Sequence, residues 1–160
     1  MSRVPSELHD DGAGELSYRG SRYLLVRPAT LAALQKAVEA ALGPGAAACL
    51  VAGGRAGGGS ALASLGAPAE QAVERLLGMG GEIGWGTFAL ERLGPGELIV
   101  TVGNSPFAEA YGAAAGPVCH LTCGVLERLA ELVLGGPAAV RETACAAAGA
   151  ALCRFEARRA

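Results

Sequence analysis

The sequence predicts a single α/β domain, and three observations carry that expectation. The chain has 160 residues, a length that suits one domain with a buried core. Three stretches repeat apolar residues at helical spacing, and four short runs have the composition of strands grouped around glycine turns. No repeat of roughly 20–50 residues is present, which sets solenoids aside.

Residues 1–20 are polar and glycine-rich and read as a lead-in ahead of a single domain over 21–160. Residues 23–26 (Tyr-Leu-Leu-Val) form a strand-like run stopped at Pro28. From Thr30, a candidate N-cap, Leu31, Leu34, Val38 and Leu42 recur at helical spacing until Gly43-Pro44-Gly45 ends the pattern. Residues 46–65 support two readings. Gly53, Gly54, Gly57, Gly58 and Gly59 favour a loop on propensity, yet Leu50, Gly53, Gly57 and Leu62 also fit a small-residue helix face that lets another backbone approach. The cluster lacks the Gly-Lys-Ser/Thr ending of a phosphate loop.

Residues 68–77 read as a helix with Pro68 in its first turn. Residues 84–93 and 97–102 read as a hairpin across Gly94-Pro95-Gly96, the second strand rich in Ile and Val. Residues 106–111 form a short helical segment, and Pro117 opens a longer helix. On that helix Val118, Leu121, Val125, Leu129, Leu132 and Val133 share one arc with Cys119 beside it, while His120 turns toward Glu127 and water. Residues 140–143 and 152–157 close the chain as two strands around Ala148-Gly149.

Composition narrows the function classes. The hydrophobic fraction is 51% but aromatics are 4%, so alanine supplies much of the core and an added metal or a second copy would help hold it. A net charge of −2 offers no surface for a polyanion, and nucleic acid is not expected as a partner. The N-terminus has no apolar signal core and no run approaches the roughly 18 residues of a membrane span, so a cytoplasmic setting is expected. In a reducing compartment, five cysteines read as metal ligands or buried small hydrophobes before disulfides.

Four of those cysteines fall after residue 118, with a glutamate among them. Cys119 lies on the long helix, and Glu142, Cys145 and Cys153 surround the closing hairpin. Thiolates and a carboxylate on separate elements suit a structural zinc ion, while the spacing is not a CxxC pair and leaves the packing reading open. Glu142 and Cys145 differ by three positions, so a regular strand would face them oppositely; a bulge or turn must begin between them.

The order of these residues resembles the C-terminal signature of the V4R (4-vinyl reductase) family: Pro117-Val118-Cys119-His120, then Arg141-Glu142-Thr143-Ala144-Cys145, then Gly149 and Cys153-Arg154-Phe155. Intervals of 23, 3 and 8 residues separate the four candidate ligands. The resemblance implies an α+β plait related to TRAPP-type folds, with an antiparallel four-stranded sheet packed against helices. It implies zinc on Cys119, Glu142, Cys145 and Cys153, a homodimer, and a small apolar or aromatic ligand. The family includes transcription activators, and since the sequence shows no ATPase or DNA-binding module, a complete activator of that kind is not expected.

Trp85, Phe88, Phe107 and Tyr111 are candidates for an apolar pocket, or else ordinary core. Cys123 reads as core one turn from a ligand, and Cys49 as buried in an alanine-rich run. Two histidines offer no Ser-His-Asp arrangement, no dinucleotide fingerprint follows a strand, and a four-ligand zinc site is closed to substrate. Binding is therefore expected over catalysis. The first reading is a zinc-stapled sensing or carrier domain. An enzyme or accessory factor of tetrapyrrole metabolism and a structural dimerising module are the alternatives.

Overall fold

A glycine-rich helix crossing a second helix at backbone contact organises this protein, known here from a computed structural model that describes residues 7–160. The chain runs β1 (Leu8–Asp10), β2 (Leu16–Tyr18), β3 (Ser21–Tyr23), α1 (Pro28–Leu42), α2 (Ala46–Leu65), α3 (Ala69–Glu82), β4 (Thr87–Gly94), β5 (Glu97–Gly103), α4 (Pro106–Tyr111), α5 (His120–Leu134), β6 (Ala138–Ala144) and β7 (Cys153–Arg159). The second sheet is four-stranded and antiparallel, in the order β4-β5-β7-β6. It is the α+β arrangement expected.

Alternation along the central strands sets the inner face. Leu98, Val100 and Val102 of β5 pair with Ala157, Phe155 and Cys153 of β7, and all six are buried. Between them Arg154, Glu156 and Arg158 point outward, where Arg154 joins Glu91 and Glu156. The inner face lies under α5, which buries Thr122, Cys123, Leu126, Leu129 and Ala130.

Residues 46–65 form a helix in spite of five glycines. Each glycine costs about 1 kcal/mol of helix propensity against alanine. Packing accounts for two of them. A Cβ at Gly54 would stand 2.2 Å from the Leu121 carbonyl oxygen, and one at Gly58 would stand 2.8 Å from Val125 Cα. The partner reciprocates, since a Cβ at Gly124 would lie 2.1 Å from the Val51 carbonyl oxygen. The close approach is made within the chain by Gly54 and Gly58, not by the Gly53 and Gly57 of the expected face, and Arg55 adds ion pairs to Glu127 and Glu131 at 2.6 Å.

Several expectations shift. The part of the lead-in that the structure describes carries β1 and β2, which join β3 just beyond it in a three-stranded antiparallel meander; residues 1–6 lie outside the described residues. Strands of three residues are too short to show alternation in sequence. Tyr18 nevertheless is buried, donates its hydroxyl hydrogen bond to Glu82, and meets the Tyr23 ring edge-on at 5.7 Å. Burial, with the Glu82 hydrogen bond, pushes its phenol up to about 12. The run 23–26 is not a strand: β3 ends at Tyr23, and Leu24 and Leu25 are exposed. Arg27, not Thr30, occupies the N-cap of α1, with Pro28 in the first turn. α5 begins at His120. Its apolar arc does not act as one face: Leu129 is fully buried, Leu121 and Val125 lie against Gly54 and Gly58 of α2, and Leu132 is exposed.

No membrane-length run was expected, yet the helical stretch Pro28–Ala63 is long and apolar enough to cross a membrane by length and composition. Alanine, leucine and valine together raise its mean hydropathy to 1.4. The Gly43–Gly45 turn divides it, and Gln35, Lys36, Glu39 and Arg55 all make polar contacts within the protein.

Candidate functional site

Four elements converge at one end of the inner sheet face. Cys119 is the N-cap residue of α5, Glu142 lies on β6, Cys145 precedes a short helical turn, and Cys153 opens β7. The register of β6 against β7 shifts between Glu142 and Ala144, supplying the bulge that the three-residue interval required. Cys145 thereby joins Glu142 on the buried side. One ligand atom from each of the four residues lies within 4.8 Å of the others, and all four are buried.

The donor set and its surroundings fit a metal ion. Cys119 Sγ and Cys153 Sγ stand 3.7 Å apart. Sulfurs at about 2.3 Å from a tetrahedral zinc ion lie about 3.8 Å from each other. Glu142 Oε2 accepts from the Cys119 backbone N–H at 2.9 Å, while Oε1 is buried with no hydrogen-bond partner. A buried unpartnered carboxylate oxygen is costly, and a cation would satisfy it. Cys153 Sγ accepts from the Ala146 N–H at 3.4 Å. The hydrogen bond between the Cys119 and Cys153 sulfurs pulls Cys153 down to about 7 and pushes Cys119 far above the usual thiol range. Burial raises Cys145, with Glu142 adding to the effect.

The segment entering the cluster is braced from behind. Gln35 Nε2, buried on α1, donates to the Val118 carbonyl and to Glu39 Oε1, each at 2.9 Å. Glu39 Oε2 in turn accepts from the Tyr111 hydroxyl at 2.6 Å. Cys123 is buried one turn along α5 and stands outside the four-residue group; burial pushes its thiol up to about 12. Cys49 is exposed, because the alanine-rich face of α2 that carries it points outward.

On the other side of α5 lies a cavity of about 980 Å³. Trp85, Phe88 and Phe107 line it as a group, Trp85 and Phe107 edge-on with centroids 4.8 Å apart. A Cβ at Gly80 would meet the Phe88 ring at 2.8 Å, so that glycine makes room for the ring in the wall. Tyr111 does not join them; it belongs to the Glu39 bracket. Sequence reasoning missed the rest of the lining. The glycines of α2 form a floor, and Arg22, Leu24 and Leu25 stand at the rim. One signal was available: glycines kept in a helix that packing does not require.

Comparisons with known proteins bear on this geometry. Residues 98–159 match the family model described as V4R domain. Over 40 residues the chain is 52% identical to the bacteriochlorophyll synthase 23 kDa chain of Cereibacter sphaeroides, a match covering 25% of this chain and 19% of that relative's length. The phenol-responsive sensory domain of the transcription activator PoxR, solved with phenol, superposes with a TM-score of 0.81 at 18% identity, over 96% of this chain and 85% of that one. A vinyl-4-reductase family protein from Methanocaldococcus jannaschii superposes with a TM-score of 0.59 at 17% identity, over 89% and 85% of the two chains.

Proposed function

From the match of residues 98–159 to the V4R domain model, we propose that the chain is a zinc-stapled sensing or carrier domain for a small apolar or aromatic ligand. The observation that carries this reading is the apolar cavity of about 980 Å³ with the Trp85–Phe107 ring pair in its wall. Pockets for drug-sized ligands span about 300–1,000 Å³, are mainly apolar, and place few polar groups. The sensory domain of PoxR, named for its response to phenol, shares the fold and supports a ligand of aromatic character.

Zinc held by Cys119, Glu142, Cys145 and Cys153 supplies a structural crosslink between α5 and the end of the sheet. With four protein ligands the site is closed, so its part is architecture rather than chemistry. The protein is cytoplasmic in this reading and forms a homodimer, supported by Leu34 and Leu42, large apolar side chains exposed on α1. Light scattering that finds a monomer at high micromolar concentration would count against the dimer.

Trp85, the one tryptophan of the chain, reports on the cavity directly. Titration with phenol, 1-naphthol and pyrene should change its emission saturably. Gly57→Leu should abolish that change, because a side chain there projects into the cavity, and zinc content should stay the same. An unresponsive Trp85 across all three compounds would sink the reading.

The identity to the bacteriochlorophyll synthase 23 kDa chain favours a second reading, an accessory factor of tetrapyrrole metabolism. A saturable shift of a porphyrin's Soret band on mixing with the protein would support it over a single-ring ligand.

A further inference from the structure

We infer that the cavity takes an amphipathic carboxylate: a ligand whose extended apolar body lies along α2 and whose carboxylate meets Arg22 at the rim. This deepens the cavity reading above and rests on it. Two features of the lining carry it independently of each other.

The first is the floor. Gly53 and Gly57 line the cavity, yet neither is needed for a close approach. A Cβ at Gly57 would meet nothing within 4 Å, and one at Gly53 would touch Leu121 Cδ2 at an ordinary 3.9 Å. They differ in this from Gly54 and Gly58, which α5 requires. Two glycines inside a helix, each at a cost of about 1 kcal/mol, leave a side-chain-free track of backbone along the cavity. A flat or extended body fits such a track, and about 980 Å³ is far more than one aromatic ring fills.

The second is the rim. Among the described lining residues, Arg22 is the single one with a charged side chain; the rest are aliphatic, aromatic or glycine. Leu76, Met79, Phe107 and Leu126 of the lining are buried, while Arg22, Leu24 and Leu25 are exposed, as are Gly53 and Gly57, so the glycine track and Arg22 both lie on the open side of the cavity. Its ion pair with Glu15 is 3.8 Å long between two exposed side chains and holds it weakly. A guanidinium can grip an incoming carboxylate through two parallel hydrogen bonds, a stronger arrangement than that contact. The polarity runs one way: apolar inside, cationic at the mouth.

The test compares 1-pyrenebutyrate with 1-pyrenebutanol, probes with the same apolar body that differ in the carboxylate. Both are titrated against the zinc-loaded protein and read by quenching of Trp85. The acid should bind about tenfold tighter than the alcohol, the scale of one charge-assisted contact. Arg22→Gln should bring the acid down to the alcohol and leave the alcohol unchanged. Glu15→Gln, which frees Arg22, should tighten the acid alone, and Arg75→Gln, away from the rim, should change neither. Equal binding of the two probes to wild type, or a preference that survives Arg22→Gln, overturns the carboxylate assignment and leaves the cavity reading standing. If neither probe binds, the cavity reading falls, and this inference with it. Displacement of bound pyrenebutyrate by hexadecanoate assigns the carboxylate to an acyl chain; displacement by a propionate-bearing porphyrin assigns it to a macrocycle.

Discussion

The two sides of α5 are built on opposite principles. At its N-terminus, Cys119 joins Glu142, Cys145 and Cys153 in a buried group whose sulfur and carboxylate atoms lie within 4.8 Å of one another. Two to seven residues further on, Leu121, Val125 and Leu126 border a large apolar space. The first region is specified by what is present, four side chains of rare type. The second is specified by what is missing, the side chains of Gly53 and Gly57. Removing a group should therefore damage the first region, and adding one should damage the second.

The largest effect expected is at the cysteines. Cys153→Ser removes one of the four proposed ligands that would tie β7 to α5, which should destabilise the fold on the order of 4 kcal/mol or more, as loss of a bound metal does. Cys123→Ala, equally buried on the same helix but outside the group, should lose about 1 kcal/mol. A chelator should lower the melting temperature of wild type and of the Cys123 variant while barely moving the Cys153 variant. Equal melting temperatures for the two variants would mean that the cysteines are packing residues and that the contrast between the regions is false.

Glycines give the next test, with opposite signs along one helix pair. Gly124→Ala places a methyl group 2.1 Å from the Val51 carbonyl oxygen and 2.6 Å from the Arg55 nitrogen. Backbone cannot give way as a side chain can, so thermal unfolding should show a loss of about 2 kcal/mol. Gly57→Ala meets nothing within 4 Å and should gain about 0.5–1 kcal/mol from helix propensity. Destabilisation by Gly57→Ala would show that α2 needs that glycine for packing and remove the argument that it is kept for a ligand.

The unequal legibility of the two regions in the sequence has the same origin. Cysteine and glutamate at set intervals can be read directly, and even the bulge between Glu142 and Ala144 followed from parity. The hairpins were readable because Ile99, Val100 and Val102 are strand formers flanked by glycine turns. The meander was not, since three residues per strand leave no period to detect, and what anchors it is a contact between Tyr18 and Glu82, 64 positions apart. The cavity wall was half readable: Trp85, Phe88 and Phe107 are scarce enough to single out. Their neighbour in sequence, Tyr111, went elsewhere because its hydroxyl found a carboxylate on α1. Whether 46–65 coils or loops depended on α5, a partner 55 or more positions away that no local propensity contains.

Tyr111→Phe should have the smallest effect, and it separates the regions most cleanly. The substitution keeps the ring and the Lys36 contact over it, at 4.6 Å, and removes one donor to Glu39. Loss of that hydrogen bond should cost about 1 kcal/mol at neutral pH. Burial raises the Glu39 carboxyl, but the hydrogen bonds from Tyr111 and Gln35 outweigh it and hold the group below its ordinary 4.5. A carboxyl depressed in the folded state stabilises fully above its unfolded value, and that contribution fades as pH falls through the lower folded value. The gap between wild type and variant should therefore be widest above pH 4.5 and close below it. Because Glu39 and Gln35 brace Val118, next to Cys119, the variant should release zinc to a chelator faster than wild type. Its affinity for 1-naphthol should not change, since Tyr111 is outside the cavity lining. A variant that binds 1-naphthol more weakly while holding zinc as before would place Tyr111 on the cavity's side of the molecule and break the division between the two regions.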